Sequence, residues 1–248
     1  MKYRALVFDL DGTAIPNQLD GMPSEKVVKS VVAAREVAKV SIATGRPFSM
    51  CSQIVKALKI VSLCVVSGGT QIVDPISGKP VWEQFLTIDQ STKLIEIARK
   101  YKLKACFDGA SEKEPLSTIQ ITGEEKIFAI FATQLDDVAK IEKALLEIKG
   151  IAFASVVSWE SGVDIHVTHQ FGTKKHALEK LLEIEKIDRS TLMVVGDGNN
   201  DLPLFANAGF KVAMGNAGEQ LKAAADVVAP SVNDDGLAWA IEKYILES

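Results

Sequence analysis

The chain has 248 residues, 47% of them hydrophobic, enough to bury a substantial core as one large domain or two modest ones, which excludes a disordered chain. Its 28 basic and 32 acidic residues give a formal charge of −4 and form no basic stripe, so nucleic acid is not an expected partner.

The first element is an apolar stretch from Lys2 to Phe8 that runs straight into Asp9-Leu10-Asp11-Gly12-Thr13. A strand apolar on both faces belongs in the middle of a parallel sheet, and ligands gather at the carboxyl ends of such strands. Asp9 and Asp11 are therefore expected at a reaction centre. Two close acids repel unless a cation or a shared proton relieves them, so the pair implies bound Mg²⁺ or a division into nucleophile and general acid. The same stretch is too short for a signal-peptide core or a membrane span, so a soluble cytoplasmic protein with no membrane partner is expected.

Pro23-Ser24-Glu25 opens a helical pattern through Val27, Val28, Val31 and Val32 to about Ala38, with Ser24 as its N-cap. Val40–Thr44 reads as a second strand ended by Gly45-Arg46-Pro47, Phe48–Leu58 as a helix, and Val61–Val66 as a third strand that breaks at Ser67-Gly68-Gly69. This alternation is that of a doubly wound parallel sheet. Thr70–Val73 and Pro80–Phe85 then flank a Pro75-Ile76-Ser77-Gly78 turn as a hairpin.

Beyond the hairpin the order changes. A helix over Asp89–Tyr101 precedes short strands over Leu103–Phe107, Ser117–Thr122 and Lys126–Ala132. A helix over Leu135–Ile148 and strands over Ile151–Val157 and Gly162–Val167 follow. That order predicts a small antiparallel sheet backed by helices, an α+β insertion at residues 85–168 within a core made of 1–84 and 169–248. The core resumes with a helix from Thr173 through Ala177, Leu178, Leu181 and Leu182, the strand Thr191–Val195, and the loop Gly196-Asp197-Gly198-Asn199-Asn200-Asp201. Short strands at Phe210–Ala213 and Val227–Val228 and a last helix from Gly236 to Leu246 complete an α/β fold.

Cys51, Cys64 and Cys106 are odd in number and widely separated in apolar surroundings, and are expected to be buried small hydrophobes rather than disulfide or zinc partners. His166, His169 and His176 lack ligand spacing, and Trp82, Trp159 and Trp239 lack the basic neighbours of a stacking platform, so all six are read as packing or surface residues.

Four strand ends or re-entry points of the expected sheet carry chemistry: Asp9 and Asp11, Thr44, Asp197 with Asp201, and Lys174 or Lys175. Parallel strands deliver their carboxyl ends to one edge, where carboxylates can hold Mg²⁺ while a lysine and a hydroxyl meet phosphate oxygens. Turn amides at Gly12-Thr13 and Gly45-Arg46 are further donors to such a group.

These segments resemble the haloacid dehalogenase superfamily phosphatases, and among them the Cof-type group with an α/β cap, over essentially the whole length. The D-x-D-G-T motif is Asp9-Leu10-Asp11-Gly12-Thr13, the strand ending in a hydroxyl is Ser41-Ile42-Ala43-Thr44, and T-G-R-P is Thr44-Gly45-Arg46-Pro47. G-D-x-x-N-D is Gly196 to Asp201. The group's K-G-x-A-L reads Lys174-Lys175-His176-Ala177-Leu178, which favours Lys174 with Lys175 in reserve, and Ser67-Gly68 stands where similar proteins place Asn-Gly.

The resemblance implies Asp9 as nucleophile forming an aspartyl-phosphate, Asp11 as general acid and base, and Thr44 and Lys174 as holders of the transferring group. It implies Mg²⁺ bound by Asp9, the Asp11 main-chain carbonyl and Asp197, with Asp201 contributing directly or from behind. Gly12, Thr13, Gly45, Arg46 and Asn200 are expected to line a small phosphomonoester substrate, with the insertion closing over the site and reading the leaving group. A phosphomutase and a phospho-accepting signalling module are the alternatives. Dinucleotide binding is disfavoured because no G-x-G-x-x-G follows the first strand. Oligomeric state is not readable.

Overall fold

The structure, a computed structural model, describes residues 3–108, 118–157 and 162–247. In chain order the elements begin β1 (Ala5–Phe8), α1 (Glu25–Arg35), β2 (Lys39–Ile42), α2 (Phe48–Ala57), β3 (Cys64–Val66), β4 (Gln71–Val73) and β5 (Pro80–Glu83). They continue with α3 (Ile88–Tyr101), β6 (Lys104–Phe107), β7 (Ile127–Thr133), α4 (Leu135–Leu145), β8 (Ile151–Val157) and β9 (Val163–His169). The last are α5 (Lys174–Glu185), β10 (Leu192–Gly196), α6 (Leu202–Phe205), β11 (Phe210–Ala213), α7 (Glu219–Ala224), β12 (Val227–Val228) and α8 (Gly236–Ile241). They form two compact units, Met1–Trp82 with Lys174–Ser248, and Glu83–Thr173.

The first unit is built on a five-stranded sheet of order β12-β11-β10-β1-β2, with every pair parallel. Alternate side chains explain why its central strands are apolar throughout. Leu6 and Phe8 join one core with Val27 and Val31 of α1, Ile54 of α2 and Ile241 of α8. Ala5 and Val7 join the opposite core with Leu178 and Leu181 of α5 and Leu204 of α6. Each fully buried Leu, Val or Phe contributes about 1.5–3 kcal/mol, and burial on both faces makes β1 the most costly strand to interrupt. Ser24 caps α1 by accepting from the Val27 amide at 3.1 Å.

Three expectations are corrected. The third strand begins only at Cys64 and touches the parallel sheet through a single Ala43–Val65 bridge, because it pairs antiparallel with β4 in a separate β3-β4-β5 sheet. The first helix stops at Arg35, where the chain tightens into a turn so that β2 can start at Lys39 opposite Ala5. The strand over Ser117–Thr122 is absent from its described residues, 118–122. The buried Glu125 carboxylate takes the Thr122 and Gly123 amides at 2.6 and 3.0 Å, so this stretch ends in a side-chain-held turn, while Ile119 and Ile121 still pack inward.

The second unit is a four-stranded antiparallel sheet, β6-β7-β9-β8, whose core includes Leu94 of α3, Ile141 and Leu145 of α4, and Ile165 and Val167 of β9. Thr87 and Gln90 form a reciprocal capping box at α3. His166 lies between Ala129 and Ala154 on the strand positions alternating with Ile165 and Val167, and desolvation pushes its imidazole below the ordinary histidine pKa. All three cysteines are buried thiols, Trp82 and Trp239 pack against the first unit's cores, and Trp159 lies outside the described residues.

Candidate active site

Asp9 leaves β1 with its amide still donating to the Val195 carbonyl of β10 at 3.1 Å, and Asp197 follows the end of β10 directly. Asp201 sits at the end of the short turn Asn199–Asp201. One carboxylate oxygen from each of Asp9, Asp197 and Asp201 lies within 4.8 Å of the other two. Lys174, the first residue of α5, is buried among them, with Nζ 2.7 Å from Asp201 Oδ1 and 3.1 Å from Asp9 Oδ2. Three carboxylates face one ammonium, which leaves two negative charges uncompensated.

The ionisation equilibria report that imbalance. Burial, then the Asp201 carboxylate, raises Asp9 well above the usual carboxylate range, and the same causes push Asp197 up to about 7. Burial disfavours the Lys174 ammonium, but the carboxylates of Asp201 and Asp9 outweigh it and hold its pKa above the ordinary lysine value. Oxygen ligands carrying an excess of two charges fit a hard divalent cation such as Mg²⁺.

A pH dependence follows. An unfolded Asp loses its proton near its ordinary value of 3.8, whereas folded Asp197 keeps it until about 7, so between these limits the folded state binds more protons. Metal-free stability is therefore fully present below about pH 4 for this group and is lost as pH rises through 7. Thermal melts in chelator should fall over that window, at up to about 1.4 kcal/mol per pH unit for one proton, and saturating Mg²⁺ should flatten the slope.

The first loop is shaped to fit Asp197. Gly12 has φ +72°, and a Cβ there would stand 2.1 Å from Asp197 Oδ2, so only glycine allows this approach. Thr13 Oγ1 donates to Asp197 Oδ1 at 3.2 Å. Asn216 joins both loops: its Nδ2 donates to the Gly12 carbonyl at 2.8 Å and to Asp197 Oδ2 at 3.2 Å, while its Oδ1 accepts from the Val232 amide. Asn216 was not singled out from the sequence, since Gly215-Asn216 after a short strand reads as an ordinary turn. Asp201 uses Oδ2 to take the Asp197 and Gly198 amides, each at 3.1 Å, so both of its oxygens are occupied by protein donors.

The Asp11 carboxylate lies outside the three-carboxylate group. Arg46 holds it through Nη2 at 2.5 Å and Nε at 2.9 Å, and spends Nη1 and Nη2 on the Leu19 and Gln18 carbonyls at 2.8 Å each. The Arg46 side chain is thus buried in an internal clamp. The buried Thr44 hydroxyl accepts from the Arg46 amide at 3.1 Å, which leaves its own proton to donate. The ideal Cβ position of Gly45 meets no atom within 4 Å, so Gly45 borders open space. The Asn200 amide oxygen lies 2.1 Å from where a Gly198 Cβ would be, over the second loop. Ser67 has φ +52°, a left-handed conformation that asparagine tolerates better than serine. Its hydroxyl donates to Gln71 Oε1 at 3.1 Å.

The sequence model of the haloacid dehalogenase-like hydrolases matches residues 6–114 and 108–241. The 5-amino-6-(5-phospho-D-ribitylamino)uracil phosphatase YcsE of Bacillus subtilis is 25% identical over 245 residues, 98% of this chain and 96% of its own. A haloacid dehalogenase-like hydrolase from Bacteroides thetaiotaomicron superposes with a TM-score of 0.80 at 24% identity, covering 98% of this chain and 99% of that one. The subclass IIB sugar phosphatase BT4131 superposes with a TM-score of 0.79 at 21% identity, covering 97% and 98%. With the family model matching most of its length, the chain belongs to the haloacid dehalogenase-like hydrolase family, as an enzyme of its phosphatase group.

Proposed function

We propose that the protein is a Mg²⁺-dependent phosphatase that hydrolyses a small phosphorylated metabolite, a sugar phosphate or similar phosphomonoester, through an aspartyl-phosphate on Asp9. The observation that carries this reading is the buried Lys174 bridging Asp9 and Asp201 inside a carboxylate group with two negative charges to spare. Asp9 and Asp197, with the Asp11 carbonyl that no donor meets among the described residues, would hold the metal. When bound, Mg²⁺ supplies the charge neutralisation that lets an anionic carboxylate approach an anionic phosphoryl group.

The chain's own residues divide the remaining work. An Asp9 oxygen attacks phosphorus as the bond to the substrate oxygen breaks, and the leaving oxygen takes a proton from Asp11. In the second step Asp11 takes a proton from water, the water oxygen attacks phosphorus, and the bond to Asp9 breaks to release phosphate. Arg46 fixes the direction of the Asp11 carboxylate, while Asp201 positions Lys174 and the second loop. Lys174 and the Thr44 hydroxyl, with the Asp11 and Gly45 amides that meet no acceptor among the described residues, are assigned to the phosphoryl oxygens. Substrate choice is assigned to the inserted Glu83–Thr173 unit, since the groups given to phosphoryl transfer all belong to the other unit. The relatives named for a phosphoribityl compound and for sugar phosphates support a polyol or sugar phosphate as substrate.

Incubation of the purified protein with Mg²⁺ and a panel of phosphate monoesters should release inorganic phosphate, and chelator should stop it. Conversion of a hexose phosphate to its isomer without free phosphate would favour a mutase instead. Asn216→Ala should weaken activation by Mg²⁺ about 10–100-fold, measured as the Mg²⁺ concentration giving half-maximal rate, because Asp197 and the Gly12 loop lose their shared tether.

A further inference from the structure

We propose that the first unit carries a second, non-catalytic site for a flat apolar anion, an aromatic body bearing one carboxylate, sulfonate or phosphate. A cavity of about 520 Å³ lies between the end of α1, one side of α2 and the turn joining β4 to β5. That volume is within the range of sites for small organic ligands, about 300–1,000 Å³. None of its lining residues belongs to the Asp9 site. Arg35 precedes the start of β2, and Lys56 and Lys59 precede β3, so the cations of the lining stand toward the amino-terminal ends of these strands, opposite the edge that carries Asp9.

Its lining has two characters. Phe48, Pro75, Ile76 and Val61 supply apolar surface, and Ile76 and Val61 are 73% and 52% exposed. Gly78, at φ +69°, brings the turn against Phe48, with its ideal Cβ position 3.6 Å from the ring. Arg35, Lys56 and Lys59 supply three cations, and among the described residues no acidic one lines the cavity. Basic groups in last helical turns favour the helix dipole, which accounts for the presence of Arg35 and Lys56. It does not account for Lys59, which lies two residues past the end of α2 and completes the cationic side of the cavity. Apolar surface beside three cations selects a ligand with both features: inorganic phosphate lacks the body, and a neutral arene lacks the charge.

Fluorescence titration with 8-anilinonaphthalene-1-sulfonate tests the assignment, with uncharged N-phenyl-1-naphthylamine as comparison. The sulfonate should bind saturably at one site per chain, and tighter than the neutral compound. Lys56→Ala/Lys59→Asn, which changes two exposed side chains and suits the φ of +53° at position 59, should lose at least tenfold in affinity while keeping wild-type phosphate release. Arg35→Met should lose a similar factor, and Asp9→Asn should lose none. Equal affinity for the neutral compound, retention of sulfonate affinity in the Lys56/Lys59 variant, or the absence of saturable binding would each overturn the proposal.

Discussion

Asp9→Asn is expected to reduce phosphate release by about 10⁴-fold or more, and yet to melt at a higher temperature than the parent protein in chelator at pH 8. The first effect follows from removing the attacking oxygen, since an amide cannot form the covalent intermediate that divides the reaction in two. The second follows from the site's electrostatics. An ionised Asp9 is buried beside Asp201 and Asp197, and burial together with these acids outweighs the attraction of Lys174, which is why its pKa stands raised. A neutral amide of the same size removes that penalty while keeping an acceptor for the Leu10 amide, which Asp9 Oδ1 takes at 2.8 Å. A phosphate-release assay and thermal melts read both effects together. Retained turnover would overturn the nucleophile assignment, and a lower melting temperature would overturn the account of carboxylate crowding.

Lys174→Ala is expected to do the opposite to stability. It leaves the wholly buried Asp201 without its cationic partner, and breaking one side of a buried ion pair costs about 3–5 kcal/mol. For a chain of this size that corresponds to a melting temperature lower by roughly 10 °C. Turnover should fall by about 10²-fold or more through loss of the charge that meets the phosphoryl oxygens. Lys175→Ala, one residue further along α5 and only half-buried, should stay within about 0.5 kcal/mol of the parent. Equal effects at the two positions would show that the cluster does not depend on Lys174.

Motif order pointed to Lys174 over Lys175, and the burial of Lys174 between Asp9 and Asp201 agrees with that order. The acids were readable because β1 and β10 are apolar on both faces and end abruptly in charge, a pattern that marks central parallel strands whatever surrounds them. Asn216 was not readable in this way. Its importance comes from three hydrogen bonds to Gly12, Asp197 and Val232, and the residues it joins lie up to 204 positions away in the chain.

Arg46 shows a related limit. Its place in T-G-R-P suggested contact with substrate, yet its guanidinium is spent on Asp11 and two carbonyls of the first loop. Strand pairing at Val61–Val66 and over residues 118–122 is hidden from the sequence for the same reason: apolar patterning reports which side chains face inward, whereas pairing depends on which edge or side chain takes the backbone amides.

By itself the sequence determined the α/β core, its interruption by an antiparallel insertion, the family, and the carboxylates that gather after β1 and β10, because these depend on local periodicity and on residue types at strand ends. Only the tertiary structure decided that Arg46 clamps Asp11, that Asp201 spends both oxygens on protein donors, and that Asn216 binds the two acidic loops together. Those are choices among hydrogen-bond partners remote in sequence, and such choices are set by distance and burial in the folded chain.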